Sequence, residues 1–284
     1  MALNINTNIT SLLATQAMEA NGKSLAKTFE RLITGSRLNR AGDDPAGFSV
    51  SQRLTAKIRG SNFAVRNAQD AVSVTQVADA AMQETSNSLQ KMRDIMVSVG
   101  NPSVTASDRI AMQSELEGLI TEIQRIATGT NFNGKKLLNG SYNGQRVLIG
   151  AEVTEVLSFS IGGLSKEALG MVLGDTIVSF NGSGLTAEEL GQNISTNIAR
   201  IDAAISSVSA IRAKLGAVQN RFNSIIVGLD SLVTATSESR ARILDTDMAA
   251  EAAEMAKQQI KQQVGAAILS QANQLPSAVL TLLR

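Results

Sequence analysis

A chain of 284 residues with a formal net charge of +1 carries neither the basic excess of a nucleic-acid binder nor the acidic excess of a chaperone for basic partners. Cys and His are absent, which excludes disulfides, Cys/His zinc sites and thiolate or imidazole catalysis. Apolar residues reach 43 % but aromatics only 3 %, so Ala, Leu, Ile, Val and Met must build thin helical layers rather than one thick core.

In chain order, Met1 to Thr10 lacks the basic segment and apolar stretch of a secretory signal, and no apolar run approaches membrane-spanning length. Taken alone, this reads as cytosolic, without membrane insertion. Met18, Leu25, Phe29 and Leu32 then recur at helical spacing, predicting a helix from about Ser11 to Gly35. The polar segment Ser36 to Asp44 is a connector ending at Pro45, whose missing N–H costs nothing in a first helical turn. From Pro45 to Gly100, Leu54, Ile58, Val65, Val72, Val77, Met92, Ile95 and Val99 mark one very long helix. Asn101-Pro102 predicts a turn, Thr105 or Ser107 a cap, and Leu116, Ile120, Ile123 and Ala127 a further helix returning antiparallel.

Between Asn131 and Gly191 the pattern changes. Asn133-Gly134, Asn139-Gly140, Asn143-Gly144, Gly162-Gly163 and Asn181-Gly182 are turn signals, several of them compatible with type I′ hairpins. Arg146 to Ile149, Val156 to Ile161 and Thr176 to Phe180 are strand candidates. Residues 141–192 hold two basic and six acidic side chains, which suggests a small solvent-facing β-rich insertion.

The clearest periodicity follows. Ile194, Ile198, Ile201, Ile205, Val208, Arg212, Leu215, Val218, Phe222, Ile225, Leu229 and Leu232 step by four and three, with one repeated three between Leu215 and Val218 that reads as a stammer. Ser237 to Asp247 is a polar interruption. Met248, Met255, Ile260, Val264, Ala267, Ile268 and Leu275 predict a last helix ending near Pro276, followed by a short apolar tail. The expected fold class is mainly α: a long antiparallel helical coiled-coil bundle with a small β-rich insertion. Its expected divisions are residues 1–44 with 238–284 as terminal helices, 45–140 with 193–237 as a rod, and 141–192 as the insertion. The terminal helices are marginal by themselves, so they are expected to pack against copies of themselves in an open helical polymer.

Acidic residues such as Glu115, Glu117 and Glu122 lie along a helix as a solvated face, and no base, nucleophile and oxyanion site converge, which argues against an enzyme. Gly162-Gly163 lacks the Lys and Ser/Thr of a phosphate loop, and no cofactor is implied.

Several stretches resemble bacterial flagellin, the family of flagellar filament subunits. Met1-Ala-Leu-Asn-Ile-Asn-Thr-Asn8, Leu32-Ile-Thr-Gly-Ser-Arg-Leu-Asn39 and Asp43-Asp-Pro-Ala-Gly47 are similar to the family's start. Asn131-Phe-Asn-Gly134 with Leu137-Leu-Asn-Gly140 resembles its hairpin entry, and Glu238-Ser-Arg-Ala-Arg-Ile-Leu-Asp-Thr-Asp-Met248 its return into the last helix. Gln271-Ala-Asn-Gln-Leu-Pro276 and Leu282-Leu-Arg284 match its end.

The resemblance covers roughly residues 1–140 and 193–284. It implies an extracellular helical filament for swimming, exported through the flagellar type III apparatus, with an export chaperone, a cap protein and hook-filament junction proteins as partners. Met18, Leu25, Phe29 and Leu32 are expected to pack with Ile260, Val264, Ile268 and Leu275 in an inner tube. In the rod, the stripe from Ile194 to Leu232 is expected to pack on that from Leu54 to Val99, with Leu54, Ile58, Val65, Val72, Ile201, Ile205, Val208, Leu215 and Phe222 among the packing residues. Charged residues Arg31, Arg37, Arg40, Asp43 and Asp44 around the connector are candidates for pairs between subunits, or a plain solvated loop. The resemblance also implies a face for an innate immune receptor at Leu89, Lys91, Arg93, Ile95, Ser98 and Glu122, where Lys91, Ile95 and Ser98 replace the family's usual Arg, Leu and Gln. The competing readings are a hook-filament junction protein and a secreted adhesin acting through the insertion.

Overall fold

In the computed structural model, residues 7–165, 168–169 and 187–282 are described, with backbone alone at 187 and 275–282. Helix α1 spans Ile9–Thr34; the Oδ1 of its cap, Asn8, accepts the Ser11 N–H, and Gly35 ends it in a left-handed conformation. Helix α2 runs Pro45–Val99 without a break. Helix α3, Ala106–Gly129, starts with a capping box in which Thr105 Oγ1 accepts the Asp108 N–H and the Asp108 carboxylate accepts the Thr105 N–H. Of the two cap candidates, Thr105 is the one used.

Strands β1 (Asn131–Phe132) and β2 (Lys135–Lys136) form a tight hairpin. Asn133 and Gly134 have φ of 48° and 77°, so both central residues are left-handed, as a type I′ turn requires. The turns at Asn139-Gly140 and Asn143-Gly144 differ: only the glycine has a positive φ there. Strands β3 (Gln145–Leu148) and β4 (Val156–Phe159) pair antiparallel, with Gln145 opposite Phe159. The expected strand Thr176 to Phe180 and the turn at Asn181-Gly182 lie outside the described residues.

Helix α4 is continuous over Ala187–Leu244, and α5 over Met248–Leu282. Two expectations are corrected here. The polar stretch from Ser237 does not interrupt α4, because it contains neither Gly nor Pro and Ser239 bonds back to the Ala235 carbonyl as helical serines do. Pro276 does not end α5, which continues to Leu282.

The chain divides into two compact units, Met1–Ile58 with Thr234–Arg284, and Arg59–Val233. In the second unit, one core unites α2, α3, the hairpin region and α4. Along α4 every seventh residue is buried: Ile194, Ile201, Val208, Leu215, Phe222 and Leu229. The second row of the seam is Asn197, Ala204, Ile211, Val218 and Ile225, three residues after each of the first five. The apparent stammer disappears in this register. Ile198, Ile205 and Arg212, one residue beyond Asn197, Ala204 and Ile211, flank the seam and shift the apparent spacing.

The matching seam of α2 is Ser61, Ala64, Ala68, Ala71, Thr75, Ala78, Met82, Thr85, Leu89, Met92, Met96 and Val99, all buried. Val65 and Val72 flank this seam half-buried, and Val77 is exposed. Small side chains let helix axes approach closely, so a seam of Ala, Ser and Thr suits tight packing despite its low hydropathy. Ion pairs Arg212–Asp79 (2.8 Å) and Arg93–Asp202 (2.7 Å) run in opposite chain directions, so α2 and α4 are antiparallel.

The insertion also contributes to this core. Leu157, Phe159, Ile161 and Leu164 are buried with Leu137, Leu138 and Phe222. Phe159 meets Phe222 edge-on at 5.7 Å. The β3–β4 region is thus packed on one face rather than wholly solvent-facing.

Candidate functional site

Within the first unit α1 and α5 pair antiparallel, as contacts along their length show. Asn8 Nδ2 donates to the Ala272 carbonyl (2.8 Å) and Asn21 Nδ2 to the Gln258 carbonyl (2.9 Å), while Arg31 pairs with Glu251 (3.5 Å). Between them, a Cβ on Gly265 would come within 3.1 Å of the Met18 side chain. Gly265 therefore lets the helices approach at Met18. The face of α1 toward α5 carries Met18, Asn21, Leu25, Thr28 and Leu32, each half-buried or buried. The opposing face of α5 carries Gln258, Gly265 and Ala272, small or polar residues set around the half-buried Leu269.

Ile260, Val264 and Ile268 occupy a flank of α5 and are each more than half exposed. With Leu13, Ala17 and Met18 they line an open groove of about 850 Å³. Phe29, also more than half exposed, lies on the other flank of α1, about 120° around the helix from Ala17 at 100° per residue. There it lines a second groove of about 570 Å³ with Ile33. Met18, Leu25 and Leu32 thus face α5, whereas Phe29, Ile260, Val264 and Ile268 remain available on two flanks. The side chain of Leu275 lies outside the described residues.

The connector after α1 folds back on its own chain. Asp43 pairs with Lys27 (2.7 Å) and accepts the Asn39 and Arg40 N–H groups. The hydrogen bond from Lys27 and those two backbone donors lower its pKa from 3.8 to about 2. Arg40 pairs with Glu30, and Asp44 accepts the Gly47 N–H. Ser36 bridges Asp245, and Arg37 donates from its backbone to the Leu244 carbonyl and from its guanidinium to that of Ile243. Arg37 thereby serves the last carbonyls of α4, the negative end of that helix. The candidates for pairs between subunits, Arg31, Arg37, Arg40, Asp43 and Asp44, each have a partner within the chain.

Among the rod residues, Ile58, Ile201, Val208, Leu215 and Phe222 are buried, while Leu54, Val65, Val72 and Ile205 are half-buried. The receptor face needs one correction: Leu89 is fully buried in the core and presents nothing to a partner. Its place in the α2 seam, between Thr85 and Met92, accounts for this. Ile95 and Ser98 are half-buried, with Ser98 Oγ bonded to the Ile95 carbonyl. Lys91, Arg93 and the Glu122 side chain retain substantial exposure; Arg93 is held by Asp202, and the Arg125 hydrogen bond keeps Glu122 below its ordinary pKa.

No helix among the described residues is long and apolar enough to cross a membrane, and no group of three acidic side chains there is placed to hold a metal. The architecture is that of a mainly helical protein with long helices and a small β insertion. The chain matches the family models of the bacterial flagellin N-terminal helical region over residues 5–143 and of its C-terminal helical region over residues 198–283. It is 33 % identical to polar flagellin A of Vibrio parahaemolyticus (serotype O3:K6, strain RIMD 2210633), covering 100 % of both chains. It is 36 % identical to a flagellin of Bacillus subtilis (strain 168), covering 99 % of this chain and 100 % of that one. A solved putative flagellar hook-associated protein from Vibrio parahaemolyticus shares the fold, with a TM-score of 0.61 at 16 % identity over 72 % of this chain and 100 % of that one. The chain belongs to the bacterial flagellin family. It is a structural subunit of the flagellar filament and serves motility.

Proposed function

We propose that this subunit polymerises through the α1–α5 pair, with Ile260, Val264 and Ile268 on one flank and Phe29 and Ile33 on the other covered by neighbouring copies. The observation that carries this is the exposure of those five large apolar side chains on one helix pair. Contiguous exposed apolar surface is unfavourable in water and marks an interface. Patches on two flanks suit a heterologous contact that repeats without closing, the geometry of a filament.

In this reading residues 1–44 and 238–284 form the inner filament core, 45–140 and 193–237 a coiled-coil rod, and 141–192 an outer insertion. The regular heptad seams of α2 and α4 support the coiled coil. Family membership supports an extracellular filament, export through the flagellar type III apparatus with a chaperone, and contact with cap and junction proteins. A receptor approaching the α2 flank would meet Lys91, Arg93 and Glu122 without Leu89.

Negative-stain electron microscopy after slow concentration tests the polymerisation reading. Full-length chain is expected to give long uniform filaments, and a chain of residues 45–237, checked for helicity by circular dichroism, none. Filaments from the trimmed chain would place the contacts elsewhere, and persistent folded monomers of the full chain would favour a junction component.

A further inference from the structure

Pro276 lies inside α5. A proline nitrogen carries no hydrogen, so the carbonyl four residues earlier, that of Ala272, lacks its usual helical donor. Ala272 is buried, and a buried carbonyl without a partner is unfavourable. This same carbonyl accepts the 2.8 Å hydrogen bond from Asn8 Nδ2. Asn8 simultaneously uses Oδ1 to accept from the Ser11 N–H (3.1 Å) and the Thr10 hydroxyl (2.6 Å), which caps α1.

We propose that Asn8 and Pro276 are a matched pair that sets the register of α1 against α5: the proline frees one carbonyl, and the asparagine that begins α1 occupies it. Capping alone would be served as well by Ser or Asp. Neither has an acceptor for the helix start and an N–H donor for a carbonyl on the facing helix; Asn has both on one short side chain. Sliding α5 by one turn would bring Asn8 to a carbonyl already engaged by its own helix and leave that of Ala272 unpaired. The register in turn decides that Leu13 and Met18 share a groove with Ile260, Val264 and Ile268. The inference rests on the α1–α5 pair itself and stands whether or not that groove is the polymerisation surface.

The test is a double-mutant cycle in the full-length chain, read by hydrogen exchange at peptides covering the start of α1 and the Ala272 region of α5 at concentrations below polymerisation. Asn8→Ser keeps a capping oxygen and loses the N–H donor. It is expected to speed exchange at both places by about three- to tenfold, the worth of one net hydrogen bond. In a Pro276→Ala background, where residue 276 regains its N–H and serves Ala272 within α5, Asn8→Ser should have little effect. Asn8→Asp, a good cap that turns an acceptor toward the carbonyl, should lower protection in the Pro276 chain as well. An equal or larger effect of Asn8→Ser with Pro276→Ala, no effect in either background, better protection from Asn8→Asp, or an α1 without protection in the unaltered chain would each overturn the pairing.

Discussion

Replacing Ile268 separates assembly from folding, because its side chain is 54 % exposed within the single chain. Full burial of such a side chain stabilises by about 1.5–3 kcal/mol, so roughly 1–1.5 kcal/mol remains to be gained when a neighbouring copy covers it. Ile268→Ala forfeits most of that and should raise the free-subunit concentration at steady state about five- to tenfold. Ile268→Asp adds the desolvation of a carboxylate without a partner, several kcal/mol even after relaxation. Converted at 1.4 kcal/mol per decade, that is a rise of more than about a thousandfold, which amounts to no polymer at ordinary concentrations. The assay is sedimentation of polymer from free subunit at a series of total concentrations, with the helical content and melting of the unpolymerised chain as control. Both variants should melt like the unaltered protein, since the position is open in the monomer. An unchanged steady-state concentration for Ile268→Asp, or equal losses of folding and assembly, would refute the reasoning.

Two further outcomes follow from the geometry. Phe222→Ala removes a fully buried ring at the junction of α4 and the insertion and should destabilise by about 3–5 kcal/mol in denaturant unfolding of the second unit. Asp43 has a folded pKa of about 2 against 3.8 ordinarily, so its contribution is fully present above the higher value and is lost as pH falls toward the lower. The loss of stability of the first unit between those two pH values should accordingly be shallower in Asp43→Asn than in the unaltered chain, measured by circular dichroism melting.

Legibility in the sequence follows the range of the interactions. The Gly35 stop of α1, the Pro45 entry to α2, the Thr105 cap and the Asn133-Gly134 turn are set by neighbours within a few residues, and each can be read there. The heptad step of α4 was also visible, but its register was not, because Asn197 and Ala204 fill seam positions that hydropathy assigns to Ile198 and Ile205. The α2 seam was harder still: Ser61, Ala64, Ala68, Ala71, Thr75 and Ala78 are buried for their small size, a property that shows only once a facing helix is present. In the α1–α5 pair, Met18, Ile260, Val264 and Ile268 are legible as apolar, whereas Gly265 and Ala272, which face α1, are not.

By itself, then, the sequence determined the helices, the Thr105 cap, the tight hairpin and the family, since local dihedral preferences, apolar period and motif order suffice for these. Tertiary structure alone decided which flank of each helix is covered, that Leu89 is core, that α4 continues through its polar end and α5 through Pro276. The physical reason is that burial depends on what another part of the chain brings close. Asn8 shows it most directly: its cap on α1 is local, but its hydrogen bond to Ala272 spans 264 residues of sequence.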